Sequence, residues 1–171
     1  VRIDQLATPG RTSLVMNHDN STIRFGGCNV NVSVDLTRLG VRSLPIIRVG
    51  YDYDSSGLKD YFSKEKMDTS AIIPIHEAAT SACYLIENPA HDHITLFYPG
   101  AMSAEYFITY SDHWFTYAKI ALMTVADLVD NREFARLAHK HQIALFLGMK
   151  MDEAAFPPQF IKDIARQLLG I

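Results

Sequence analysis

Cysteine is scarce: only Cys28 and Cys83 occur, and neither sits in a Cys-x-x-Cys pair. Two such cysteines build no disulfide framework, which predicts reduced thiols and a cytoplasmic setting. Basic charge is not in excess. A net charge of −3 leaves no electrostatic footprint for nucleic acid. No apolar run reaches the roughly 20 residues that a membrane-spanning helix needs, so no membrane partner is expected. The opening Val1-Arg2-Ile3-Asp4 is charged from its second residue and predicts no secretory leader. The chain also has no Walker A loop.

What is present is organised around Phe25 to Gly50. Gly26-Gly27 leads into a segment with Val32, Leu36 and Leu39 at helical spacing. Gly40 follows as a C-cap, then an apolar run, Leu44 to Val49, ends at Gly50. Glycine lets backbone approach a ligand, and the first amides of a helix have no intrahelical partner. Asn31 falls in the first turn, where its amide both donates and accepts. The physical reading is a site for a polyhydroxylated ligand. A dinucleotide site does not fit, because Gly26-Gly27 lacks the third glycine and the later acidic residue.

These residues also carry a resemblance. Gly26, Gly27, Asn31, Ser33, Gly40 and Gly50 stand at the spacing of the first signature of the PfkB (ribokinase-like) carbohydrate and nucleoside kinases. Asn29, where that family usually has Gly, Ala or Pro, departs from the pattern, and Cys28 beside it is unusual. Phe97-Tyr98-Pro99-Gly100-Ala101-Met102 is more similar to the nucleoside (adenosine) kinase branch than to the ribokinase branch. Val1 to Gly10 resembles the later part of the family's first strand and turn. That implies a start in mid-strand, with the family's substrate-gripping Asp before residue 1. Asp4 reads as a strand-end surface carboxylate instead.

Along the chain, Thr12 to Met16 and Thr22 to Phe25 read as short strands around the polar turn His18-Asp19-Asn20-Ser21. Pro9-Gly10 is a turn. Leu58, Tyr61 and Phe62 mark a short helix. Asp52 and Asp54 read as turn carboxylates, because the loop lacks the other oxygen ligands of an EF-hand. Thr80 to Glu87 and His93 to Tyr98 form a hairpin around Asn88 to Asp92. His91 and His93 have no third ligand at a suitable spacing, so no metal site is assigned. Aromatic residues such as Phe97 either stack on a nucleobase or form sheet core. Tyr117 to Val125 and Ile143 to Gly148 read as buried strands. Asn131 to His141 reads as a helix capped by Asp130 or Asn131, with Phe134, Leu137 and Ala138 inward. His139 and His141 read as helix-end surface residues. A last helix starts at Phe156-Pro157-Pro158, with Phe160, Ile161, Ile164 and Leu168 inward.

The strand–helix alternation predicts a parallel, right-handed α/β sheet. The resemblance makes it a ribokinase-like three-layer fold with helices on both faces and a small β-sheet lid. One partial domain over 1–171 is expected, with lid strands at about 10–25 and 80–98 and an α/β core at 26–79 and 99–171. The implied activity is ATP-dependent phosphorylation of a hydroxyl of a sugar or nucleoside, with Mg2+. Gly26, Gly27, Asn31, Cys83 and Phe97 are the implied substrate-binding residues, although either lid face could meet the substrate. No catalytic residue is assigned. The family's Asn-x-x-Glu and Gly-Ala-Gly-Asp motifs fall beyond residue 171, and no Gly-x-Gly-Asp occurs here. Met149-Lys150-Met151 replaces an Asp-Pro common in relatives. The chain alone is therefore expected to bind without transferring phosphate. A homodimer through the lid sheet is expected, since exposed sheet edges need covering. The competing reading is a non-catalytic relative that binds a sugar or a protein partner.

Overall fold

A computed structural model describes residues 1–16, 23–148 and 152–170. The turn His18 to Ser21, Thr22 and Met149-Lys150-Met151 lie outside the described residues.

Helix α1 spans Cys28–Arg38 and ends as the glycine predicts. Gly40 takes φ 77°. The Val41 amide donates to the Leu36 carbonyl at 2.9 Å and the Gly40 amide to Thr37 at 3.0 Å, the paired bonds of a Schellman end. The buried face differs from the expected one. Val30, Ser33 and Val34 are buried, whereas Leu39 is 78% exposed. Leu39 already sits in the cap, outside the buried face. Val30 and Val34 pack with Val49, Leu58, Phe62 and Met67.

Strand β1, Ile47–Val49, pairs in parallel with β2, Ile72–Pro74. β1 is shorter than the expected Leu44 to Val49, because Pro45 has no amide to give a ladder. The short helix α2, Leu58–Lys64, buries Leu58 and Phe62 as expected. Arg38 forks onto Glu65, Nε to Oε2 at 2.9 Å and Nη2 to Oε1 at 2.8 Å, tying the ends of α1 and α2 together.

The hairpin is β3, Ala82–Glu87, against β4, His93–Tyr98, antiparallel from Ala82↔Tyr98 to Glu87↔His93. The earlier lid strands are a correction. Among the described residues, 11–16 and 23–25 contain no strand; Val15 makes only an isolated bridge to Ile3, and Arg2 bridges to Glu87. Leu14, Val15, Met16 and Ile23 are exposed. Residues 1–3 occupy the edge of β3, donating from Ile3 to the Glu87 carbonyl at 2.9 Å, and residues 14–16 bond to that segment: Asp4 donates to the Leu14 carbonyl at 3.0 Å and Met16 to the Arg2 carbonyl at 2.8 Å.

The larger core lies under β5 (Ile120–Met123), β6 (Ala144–Leu147) and β7 (Leu168–Gly170), all parallel in that order. β5 starts later than expected because a 3-10 turn at Asp112–Phe115 runs on into a turn at 116–117, closed by the Ala118 amide donating to the Phe115 carbonyl at 3.3 Å. Helix α3, Leu128–Lys140, begins before Asn131. Its N-cap is Asp127, which accepts from the Val129 amide at 3.1 Å; Asp130 and Asn131 are buried inside the helix instead. Leu137 and Ala138 face the core as expected, with Phe134 packed beside them. Helix α4, Pro158–Ile164, starts at the prolines and buries Phe160 and Ile164. Leu168 belongs to β7 rather than to this helix, since a 3-10 turn at Ala165–Gln167 ends it.

The parallel strands form two small sheets rather than one. Ile46 packs against both adjoining buried clusters and joins them through side chains. On β5, Ala121 and Met123 are buried while Ile120 and Leu122 are exposed, so one face is covered and the other is not. No helix among the described residues is long and apolar enough to cross a membrane.

Candidate functional site at the start of helix α1

Gly26, Gly27 and Asn31 come together at the entry to α1. Gly27 is the N-cap at φ 104° and ψ 152°, a region that only glycine enters without strain. Its carbonyl accepts the Asn31 amide at 2.9 Å. A Cβ on Gly26 would lie 2.9 Å from Asn31 Oδ1, so this glycine makes room for the Asn31 side chain. Asn31, Gly26 and Gly27 are all exposed. Among the described residues no side chain caps α1, so its first-turn amides and the positive end of its dipole have no side-chain partner there. Phe25 anchors the approach, its ring tilted 31° to that of Tyr61 with centroids 5.3 Å apart. Asn29 does not enter the site: its Nδ2 donates to the Ile46 carbonyl at 2.9 Å. The departure from the family pattern thus ties the helix start to the chain leading into β1.

Cys83 and Phe97 are direct cross-strand partners on one hairpin face. Both are exposed, Phe97 by 59%. Tyr84, Ile94, Leu96 and Tyr98 occupy the other face and are also exposed. A sheet-core role for these aromatics is therefore corrected: the hairpin has two apolar, accessible faces. Among the described residues no hydrogen bond joins Cys83 or Phe97 to the helix start. His91 sits at the hairpin tip, its Nδ1 2.6 Å from Glu87 Oε1. Among the described residues no three metal-ligating side chains converge. Asp4 is a turn carboxylate that accepts from the Leu14 and Gln5 amides, each at 2.8 Å. A cleft of about 460 Å³ lies elsewhere, lined by Tyr53, Lys59, Ser63, Lys66, Met67 and Thr69 among others.

Two polar constellations were not legible in the sequence. Arg48 of β1 is buried and donates to Asp130 Oδ2, to the Met102 carbonyl at 2.8 Å and to the Ser103 carbonyl at 3.0 Å. The Tyr110 hydroxyl donates to Asp130 Oδ1 at 2.6 Å. Burial pushes the Asp130 carboxyl up, while Tyr110 and the Arg48 charge pull against it. Burial and the neighbouring carboxylate raise the Tyr110 hydroxyl. The available signal was a lone arginine inside an apolar strand.

The second constellation is Asp52 with Thr80. Asp52 Oδ1 accepts from the Thr80 amide and hydroxyl, each at 2.7 Å, and Thr80 Oγ1 accepts from the Gly50 amide at 2.9 Å. Burial alone would raise the Asp52 carboxyl. The Thr80 hydroxyl and amide outweigh it and hold the group below its ordinary value. A Cβ on Gly50 would lie 2.2 Å from the Ala79 carbonyl carbon and the Thr80 nitrogen. This signature glycine serves backbone packing.

Known proteins are similar in sequence and in architecture. The chain is 25% identical over 107 residues to the nucleoside kinase of Methanothermobacter thermautotrophicus, covering 63% of this chain and 33% of that protein. It overlays the Burkholderia thailandensis nucleoside kinase solved in complex with inosine at a TM-score of 0.79 and 15% identity, over 98% of this chain and 54% of the other. The ribokinase from Cryptococcus neoformans var. grubii, solved in complex with ADP, gives 0.73 at 12% identity, over 98% and 51%. The fold is thus ribokinase-like α/β, and the chain spans about half the length of these structures. The pfkB family carbohydrate kinase pattern matches residues 3–153, and the chain belongs to that family.

Proposed function

We propose that this chain is the substrate-binding part and lid of a kinase that moves a phosphoryl group from ATP to a hydroxyl of a nucleoside or sugar. The observation that carries the reading is the helix start. Gly27 leaves open space, Gly26 makes room for the Asn31 side chain, and Asn31 presents a donor and an acceptor next to uncapped helix amides. Two vicinal ribose hydroxyls match such a set, since each both donates and accepts. The hairpin is the lid, excluding water from the reacting hydroxyl. Phe97, with Cys83 opposite it, offers an accessible aromatic face for a base. Relatives solved with inosine and with ADP favour a nucleoside acceptor and an adenine nucleotide donor.

Phosphoryl transfer needs charge neutralisation as well as positioning. Among the described residues no acidic or histidine set converges for Mg2+, and the proposal assigns Mg2+ and the ATP phosphates to no residue of this chain. We also propose a second copy as the cover for the outer lid face, and a cytoplasmic setting. Sedimentation at micromolar concentration should show a dimer; a monomer overturns that part.

The test of function is an ADP-release assay on the product of the complete gene, with adenosine, other nucleosides, ribose and fructose as acceptors. Turnover of at least one is expected. Failure with all of them favours a non-catalytic binder. That alternative rests on the departures at Asn29 and Met149-Lys150-Met151, and Asn29 donates to the Ile46 carbonyl rather than towards the site.

A further inference from the structure

The two roots of the lid hairpin converge on one short stretch, residues 48–52. At the entering root, the Tyr51 amide donates to the Ala78 carbonyl at 2.9 Å. Gly50 donates to Thr80 Oγ1, and Asp52 takes both the Thr80 amide and the Thr80 hydroxyl. At the leaving root, the Ala101 amide donates to the Ala79 carbonyl at 2.8 Å, and Arg48 holds the Met102 and Ser103 carbonyls. Gly50 and Gly100 press on the same peptide from two sides. A Cβ on Gly50 would stand 2.2 Å from the Ala79 carbonyl carbon, and one on Gly100 would stand 2.3 Å from the Ala79 oxygen. Just upstream of this stretch, the Ile46 carbonyl holds Asn29 at the start of α1.

We propose that Asp52 and Thr80 are positioning residues: a hinge lock that sets the angle at which the hairpin stands over the α1 start. The lock is a carboxylate taking two donors from one residue, the stronger kind of hydrogen bond. It lies at the point where the exposed hairpin leaves the packed body. Beyond Thr80 the hairpin has little buried surface of its own, and a two-stranded hairpin is marginal in isolation. Its orientation therefore depends on its roots. The lock touches no part of the proposed ligand site and acts through the lid. Calling it a positioning device rests on the lid reading given above.

The test is amide exchange on the intact chain, comparing wild type, Thr80→Val and Thr80→Ser. Valine keeps the shape and the backbone amide but removes the hydroxyl that links Gly50 to Asp52. Loss of such a bond corresponds to about a tenfold shift in a local equilibrium. Amides of β3 and β4 should exchange about that much faster in Thr80→Val, while β5 and β6 stay at the wild-type rate. Thr80→Ser should restore the hairpin. Equal acceleration of every strand, or no change in the hairpin, overturns the lock. Adenosine added to the wild type tests the lid reading separately. Protection of the hairpin supports it. An unprotected hairpin with a hydroxyl-dependent exchange rate leaves the hinge standing and removes the lid role.

Discussion

Strands β4 and β6 are written in similar residues and treated in opposite ways. β4, His93–Tyr98, carries Ile, Thr, Leu, Phe and Tyr, and every position is exposed. β6, Ala144–Leu147, carries Ala, Leu, Phe and Leu, and buries Leu145 completely. The difference lies in neighbours. β6 sits between two parallel strands with Phe160, Ile164 and Leu137 packed into the same cluster. Among the described residues β4 pairs only with β3, and all its positions are exposed. Burial of apolar surface stabilises the body, whereas the same surface on the hairpin is left free to meet a ligand or another chain.

The comparison breaks most sharply at the charge buried beside the first sheet. Arg48→Ala leaves Asp130 buried without its cation and frees two carbonyls, which should cost about 3–5 kcal/mol in urea unfolding. Loss under 1 kcal/mol would mean that the pair is solvated. Leu145→Ala should cost about 2–5 kcal/mol by the same measurement, while Phe97→Ala should stay within about 0.5 kcal/mol. Equal costs at the two positions would erase the contrast between body and lid.

Binding changes come next. Gly26→Ala should push the Asn31 amide aside and weaken adenosine binding about tenfold by calorimetry, or about 1.4 kcal/mol, with the melting temperature nearly unchanged. Retained affinity would remove Asn31 from the site. The smallest effect is acid dependence. The Asp52 carboxyl is held below its ordinary value, so its contribution is present above the unfolded pKa, near 3.9. It is lost as pH falls through the lower folded value. Hairpin protection, taken relative to the intrinsic exchange rate at each pH, should therefore fall with acidification below about pH 4, and the fall should be smaller in Thr80→Val. Parallel profiles would assign the acid response to other carboxylates, such as Glu87 beside His91 or Asp112 beside Lys140.

Local rules were legible where the deciding contacts are local. Gly40 announces a helix end, and the bond from Val41 to Leu36 completes it within a few residues. The hairpin was readable from two β-rich runs around a turn. The face of α1 was not, because ranking positions by hydrophobicity favoured Leu36 and Leu39 over Ser33, which packing buries and whose hydroxyl accepts from Ser43 at 3.2 Å. The cap of α3 was misplaced because Asp127 and Asp130 are alike in sequence; only burial separates the capping carboxylate from the paired one.

By itself the sequence determined the order of most helices and strands, the membership in the pfkB family and the cluster of Gly26, Gly27 and Asn31. Periodicity, turn residues and a motif within some two dozen positions are all short-range signals. The tertiary structure alone decided that Arg48 meets Asp130 across 82 positions, that Gly50 and Gly100 press on Ala79 and that Asp52 holds Thr80 across 28. Those pairings exist only once separate elements pack. A charge or a glycine is the same letter whether it faces water, a ligand or another backbone.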